Sequence, residues 1–484
     1  MSNENLAREG TRHFHGGALG ALLPFIVFVS GIVYLTTTGD LSSATGGAIA
    51  FVSFLFVFLL MRNKAEFTGI VFRGLKNDML VMLLVSFLLA GVMAKTLEMG
   101  GLISALVWGA TALNIQAWMV PVILFLIVTL IGLATGTNAG TIVTTLPILL
   151  PLGISLDVNP GLVVGAIVGG AMWGDNVAPI SDTTIVSAAT QETSVSRVVK
   201  SRLKYAGVAG AMAIVGYVVL GIVLPPVSGG GAEVAAQDGN PMALILLSAP
   251  AIIIFLMLRG KDIIFALSIA TFFSLALALG TGLIQPAQIV ASKGVIVTGF
   301  TGMMGIFPFF LFLFVLIEAL RFAGAIEWIG MQALKISKTP RTAEGMSALV
   351  ASATYMVTTV HSVSVVVSGP IVRSIMCRFN VDRARAANII DCIVSGLHGV
   401  MPHSAVTVIA MGIVAQSAWV PKGFTALDYL PYVLPSLFLL VVFAVAIITG
   451  WGRRKEMSDD DFEADLARRD ALDQAALQGS DVNS

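Results

Sequence analysis

Two polar stretches interrupt an otherwise apolar chain, each built around a proline. The first is Gly174-Asp-Asn-Val-Ala-Pro-Ile-Ser-Asp-Thr-Thr184, preceded by Thr135-Gly-Thr-Asn-Ala-Gly-Thr141. Together they offer Thr135, Thr137, Asn138, Thr141, Asp175, Asn176, Ser181, Asp182 and Thr183, an oxygen-rich set with two carboxylates. Hard cations take carboxylate, amide, hydroxyl and carbonyl oxygens, which suits Na⁺ held at Asp175 and Asp182. A carboxylate at bilayer depth costs at least ~2.5 kcal/mol, so these two need a cation, a proton or a partner. Each hydroxyl taken alone is more often a helix cap. The second stretch is His398-Gly-Val-Met-Pro-His-Ser404, preceded by Thr358-Thr-Val-His-Ser-Val-Ser364. It brings His361, His398, His403 and Ser404, with Asp391 seven residues before His398 and on the same helix face if the helix runs that far. Histidine titrates near physiological pH. This group therefore suits proton handling, hydrogen bonding to a substrate carboxylate, or plain packing, and the residues alone leave the three open.

The two stretches are copies of one unit. At an offset of 223 residues, Leu97–Gly101 lies over Leu320–Gly324, Thr135 over Thr358, Pro147 over Pro370, Pro179 over Pro402 and Ser181 over Ser404. His361 then replaces Asn138, His398 replaces Asp175 and His403 replaces Ile180. Repeated units whose apolar segments are interrupted at matching places point to the binding site of a secondary transporter.

Composition fixes the solvent. The chain is 56% apolar and 12% charged, with a mean hydropathy of +0.91, far from the roughly one-quarter charged residues of a soluble domain. Apolar spans long enough for a bilayer are expected at 17–37, 44–61, 79–96, 204–224, 241–258, 262–284, 302–320 and 430–451. The first span is read as a retained helix, because it lacks a small-residue cleavage site. Cys377 and Cys392 follow no metal or redox spacing and read as packing residues. A net charge of zero implies no nucleic-acid partner. The acidic stretch 456–484 reads as a solvated tail with one weak helix near 460–477.

Basic residues set the orientation. Arg62, Lys64, Arg73 and Lys76, and again Arg197, Lys200, Arg202 and Lys204, face windows 223 residues on that hold only Lys293 and Lys422. Arg373, Arg378, Arg383 and Arg385 conversely face the bare 150–162, and Lys335, Lys338 and Arg341 the bare 112–118. If every cluster is cytoplasmic, the copies have opposite orientations. The chain must then form, in each copy, a hairpin with its tip at Thr135–Thr141 or Thr358–Ser364, followed by a helix broken at 174–184 or 398–404. The fold class expected is an all-α polytopic membrane protein of two inverted-topology repeats, each with a hairpin and a discontinuous transmembrane helix. The divisions are a cytoplasmic N-terminus 1–16, membrane repeat one 17–224, an external linker 225–240, membrane repeat two 241–451 and a cytoplasmic acidic tail 452–484. Glu318, Lys95 with Glu98, Arg321 and Glu327 read as interfacial.

At Gly174–Thr184 the chain resembles the NhaC-type Na⁺/H⁺ antiporter family, whose signature reads GD-x-x-(S/A)-P-x-SDTT. Asn388-Ile-Ile-Asp-Cys through His403 is similar to that family's later N-I-x-D…QG-x-x-P-(Y/H) segment, with His398 where Gln is the usual residue. The resemblance spans residues 17 to 451. It implies a secondary transporter of the inner membrane, commonly a homodimer, with no cofactor beyond the transported Na⁺ as coupling ion. Members of the family exchange Na⁺ for H⁺, exchange malate for lactate, or carry amino acids with Na⁺. The reading adopted is Na⁺/H⁺ exchange with Asp175 and Asp182 as cation carboxylates. The rival keeps the fold and has copy two bind a small organic solute such as an amino acid or carboxylate. An intramembrane enzyme is disfavoured, since no HExxH, nucleophile elbow or cofactor motif is present.

Overall fold

The computed structural model describes residues 13–113, 115–224, 240–323, 336–415, 417, 419–421, 423–458 and 460–462. Most of the linker 225–240, the tail beyond Phe462, Glu327, Lys335 and Lys422 lie outside them. Regular structure among the described residues is helical throughout. The first copy runs α1 (Gly17–Thr38), α2 (Ser43–Leu60), α3 (Phe67–Leu75), α4 (Asp78–Met99), α5 (Leu102–Ala112), α6 (Val120–Thr135), α7 (Asn138–Ser155), α8 (Pro160–Val177), α9 (Asp182–Thr190) and α10 (Val195–Val223). The second runs α11 (Ser248–Leu258), α12 (Ile263–Gly280), α13 (Val295–Met304), α14 (Phe307–Phe322), α15 (Pro340–Thr358), α16 (His361–Met376), α17 (Arg383–Val400), α18 (Ala405–Val414) and α19 (Leu434–Thr449). Nine of the described helical segments are long and apolar enough to cross a membrane, or eleven if each of two bent pairs is one span. The protein is a multi-pass membrane protein.

Helix boundaries repeat at the 223-residue offset. α7 starts at Asn138 and α16 at His361; α8 spans 160–177 and α17 spans 383–400; α9 starts at 182 and α18 at 405. The caps repeat as well. Asn159 accepts the backbone N–H groups of Gly161 and Leu162 at the start of α8, while Asp382 does the same for Ala384 and Arg385 at the start of α17. Both hairpins turn on a residue in the left-handed region: Gly136 with φ 61° and Thr359 with φ 56°.

Several expected spans are adjusted. The one placed at 204–224 begins at Val195, where Ser194 caps the Arg197 N–H at 3.3 Å, so the basic residues lie inside the helix. The span at 302–320 is two helices, α13 and α14, separated at Gly305-Ile306 before a helix-starting Pro308. The span at 241–258 opens as 3-10 turns over Pro241–Leu247. The polar interruptions are narrower than expected. α8 persists through Gly174–Val177 and stops for Ala178–Ser181, where Pro179 cannot donate a helical hydrogen bond. α9 then leaves at 40° to α8. α17 persists through His398, and only Met401–Ser404 is non-helical.

α8 and α17 form the core. Every residue of α8 except Trp173 is buried. Glycines let α6 lie directly against it: a Cβ at Gly174 would stand 2.5 Å from the Thr129 carbonyl oxygen and 3.0 Å from the Gly132 Cα. This contact sets Asp175, the next residue, beside the first hairpin tip.

Candidate functional site

The two hairpin tips and the break in α8 meet at one place, and residues of α17 and α10 complete it. Asp175, in the last turn of α8 and 1% exposed, accepts a hydrogen bond from Asn138 Nδ2 at 2.9 Å, with the Ser181 hydroxyl a further donor to the same carboxylate. Asn138 is the first residue of α7, so its amide is placed by the hairpin turn. Asp182 opens α9; its Oδ1 accepts the Thr183 N–H at 2.8 Å and its Oδ2 accepts the Ser362 hydroxyl of the second hairpin. Both carboxylates thus meet neutral donors. Neither makes an ion pair with Lys or Arg among the described residues.

Asp391 is treated differently. It is fully buried, with His361 Nε2 2.8 Å from its Oδ1 and the Arg202 guanidinium paired with its Oδ2. Thr184 adds its hydroxyl at 3.4 Å. Arg202, itself fully enclosed, also donates Nε–H to Asn388 Oδ1 at 2.9 Å, and Nη1 to the Thr184 hydroxyl at 2.8 Å and to the Asn176 carbonyl. The guanidinium therefore satisfies a backbone oxygen freed at the end of α8 and clamps the two copies together. The basic cluster read from the sequence is corrected here. Arg202 is an internal ion-pair partner, and so is Arg385, which is buried on Glu344 at 3.1 Å.

The other nominated residues fall into three groups. His361 and His398 stand with ring centroids 5.8 Å apart, and His398 Nδ1 is 3.0 Å from the Tyr355 hydroxyl. His403, in the break before α18, lies 6.4 Å from the Tyr355 ring and its Nε2 has no hydrogen-bond partner among the described residues. Thr137 and Ser404 are caps, accepting the N–H groups of Gly140 and Thr407. Ser181 and Thr183 hydroxyls bond each other at 3.0 Å, and the Asn176 amide faces Cys392 Sγ at 3.8 Å. A small cavity of about 40 Å³ opens at the junction, lined among others by Asn138, Asp182, His361, Ser362 and His398.

Sequence reading missed Arg202, Tyr355 and Glu344. For Arg202 a signal was present: Val198, Arg202, Tyr205, Ala206, Ala209 and Ala213 recur at helical spacing and form the buried face of α10. An arginine on that face needs an internal counter-charge. Tyr355 and Glu344 carry no comparable signal.

A comparison with curated proteins finds no match. Residues 17–222, which carry Asp175, Asp182 and Arg202, match the model of the Na⁺/H⁺ antiporter family, a family of transporters, and over that range the resemblance to the NhaC type read from the motifs is borne out.

Proposed function

We propose that the protein exchanges Na⁺ for H⁺ across the cytoplasmic membrane, with Asp175 and Asp182 binding either Na⁺ or protons but not both. The observation that carries this reading is the contrast between carboxylates. Asp391 is paired directly with Arg202 and His361, whereas among the described residues Asp175 and Asp182 make no ion pair with Lys or Arg and accept from the Asn138 amide, the Ser181 and Ser362 hydroxyls and a backbone N–H, with His361 near both. Away from bulk water such charges demand a mobile cation or a proton. Asn138 and Ser362 orient the carboxylates, and Ser362 links the site to the second copy. The cavity beside them, about 40 Å³, is far below the roughly 300 Å³ at which small-molecule pockets begin. That space suits a cation with a water and is too small for an amino acid or dicarboxylate, which favours ion exchange over the organic-solute reading.

The same reading takes residues 17–224 and 241–451 as repeats of opposite orientation that alternate access to this site. Inversion requires the turn after the broken helix of one copy to lie beside the turn before the broken helix of the other. Arg197 of α10 pairs with Asp382 at 3.2 Å, and Glu192 pairs with Arg373 and Arg383, which supports that arrangement. With the exposed lysines and arginines of both turns on one end, that end is cytoplasmic by the positive-inside rule.

The test is proton movement in everted vesicles or proteoliposomes, followed with a pH-sensitive dye after Na⁺ is added without organic solute. Immediate Na⁺-dependent proton efflux is expected, abolished in Asp175→Asn and Asp182→Asn at normal expression. A correctly inserted wild type that stays silent would refute exchange; wild-type transport in both variants would remove the site assignment.

A further inference from the structure

A second, larger cavity lies away from this site, between the first turns of α10, the start of α17 and the chain following α19. Its volume is about 510 Å³ and its lining includes Arg197, Lys200, Lys204, Arg385, Arg454 and Asp382. Two of the five cations are spoken for. Arg197 is paired with Asp382 and Glu456, and Arg385 with Glu344. Lys200, Lys204 and Arg454 have no carboxylate within ion-pair distance among the described residues. Lys204 instead sits over the Tyr205 ring, 4.8 Å from its centroid. The positive ends of α10 and α17 add to the same field at the rim. The cavity's shape and surplus charge fit an anion larger than chloride.

We propose that this cavity binds a phosphate-bearing anion. Three cations with no ion-pair partner among the described residues, converging with helix N-termini, outnumber the Asp382 carboxylate in the lining and match the charge and the several acceptor oxygens of a phosphate group. With this end cytoplasmic, as proposed above, the cavity at the ends of α10, α17 and α19 lies at the depth of anionic phospholipid headgroups. A soluble phosphate compound offers the same chemistry. Because α10 also carries Arg202, and α17 carries Asp391, an anion bound here grips the first turns of the two helices that the internal ion pair joins.

The experiment uses the full-length protein in phosphatidylcholine nanodiscs and reads the thermal unfolding midpoint. One arm replaces part of the lipid with phosphatidylglycerol; the other adds inorganic pyrophosphate to the neutral discs. Lys200→Gln/Arg454→Gln, at exposed positions outside the transport site, is compared with Arg62→Gln/Lys76→Gln, which removes the same charge elsewhere. A rise in the wild-type midpoint that the control variant keeps and the cavity variant loses by more than half is expected. Seen with phosphatidylglycerol it assigns a lipid headgroup; seen with pyrophosphate it assigns a soluble phosphate. Equal shifts in all three proteins, or no wild-type shift in either arm, overturns the proposal. The second outcome is the one expected if the chain's own acidic tail fills the cavity. Failure here leaves the dye assay of Na⁺/H⁺ exchange unaffected.

Discussion

A guanidinium enclosed among membrane helices must be matched by negative charge and by acceptors for its N–H groups, and at Arg202 the charge and one acceptor come from the second copy while the other acceptors come from its own. Asp391 provides the charge, and Asn388, Thr184 and the Asn176 carbonyl provide the acceptors. Removing one partner of such a pair costs about 3–5 kcal/mol, because the other is left charged and alone. Arg202→Gln is therefore expected to lower the unfolding midpoint sharply and to cut transport, and Asp391→Asn to do the same. The double variant, left with neutral groups of similar shape, is expected to recover much of the stability. A double-mutant cycle in detergent measures the coupling; additive losses would mean that the two side chains stabilise the fold independently. Asp175 and Asp182 were legible in the sequence because an aspartate in an apolar segment is too costly to persist without a cation, a proton or a partner. Arg202 was harder to read, since four basic residues in eight positions look like a cytoplasmic edge until the α10 face on which each one falls is considered.

At the scale of elements, the hairpin tips illustrate how one geometry is met by two residue types. Gly136 takes φ 61° freely, whereas Thr359 takes φ 56° with a β-branched side chain, an outlier that costs of order 1–3 kcal/mol. What holds it is the fold around it: the Thr359 N–H bonds the Tyr355 carbonyl at 2.8 Å, and its own carbonyl accepts the Ala405 N–H at 3.2 Å, the first residue of α18. Substituting glycine removes the strain and adds roughly 0.5–1 kcal/mol of chain entropy cost. The strain is the larger quantity, so Thr359→Gly is expected to hold or raise the unfolding midpoint. A drop would show that the threonine side chain contributes packing that outweighs its backbone. The hairpins and the breaks were legible because proline, glycine and polar residues interrupt apolar runs at matching offsets. Their extents were not: Gly174 and Asp175 read as helix breakers, yet close packing of α6 on α8 keeps them helical. Tertiary contact outweighs local preference there.

For the whole molecule, the 223-residue repeat was written in the sequence at matching residues, and in the structure it extends to single helix starts; its consequence is a candidate site assembled from both copies. The chemistry is divided unequally between them. Copy one brings Asp175 and Asp182; at the equivalent of Asp175, copy two has His398, hydrogen-bonded to Tyr355. On the exchange reading proposed above, only copy one offers carboxylates that Na⁺ and protons can contest, and competition for them would couple the two fluxes. Protons held by the pair must leave before Na⁺ binds, so the apparent KM for Na⁺ falls as pH rises. With one competing proton the fall is up to about tenfold per pH unit on the acid side of the pair's titration, and it levels off once the carboxylates are ionised. The measurement is Na⁺-dependent dye recovery over a pH series at several Na⁺ concentrations. A KM that stays flat while maximal rate changes would place the proton on another group, with the His361–Asp391–Arg202 cluster the first to examine; a KM that falls as described, and is lost with Asp182→Asn, ties both ions to the broken helix of the first copy.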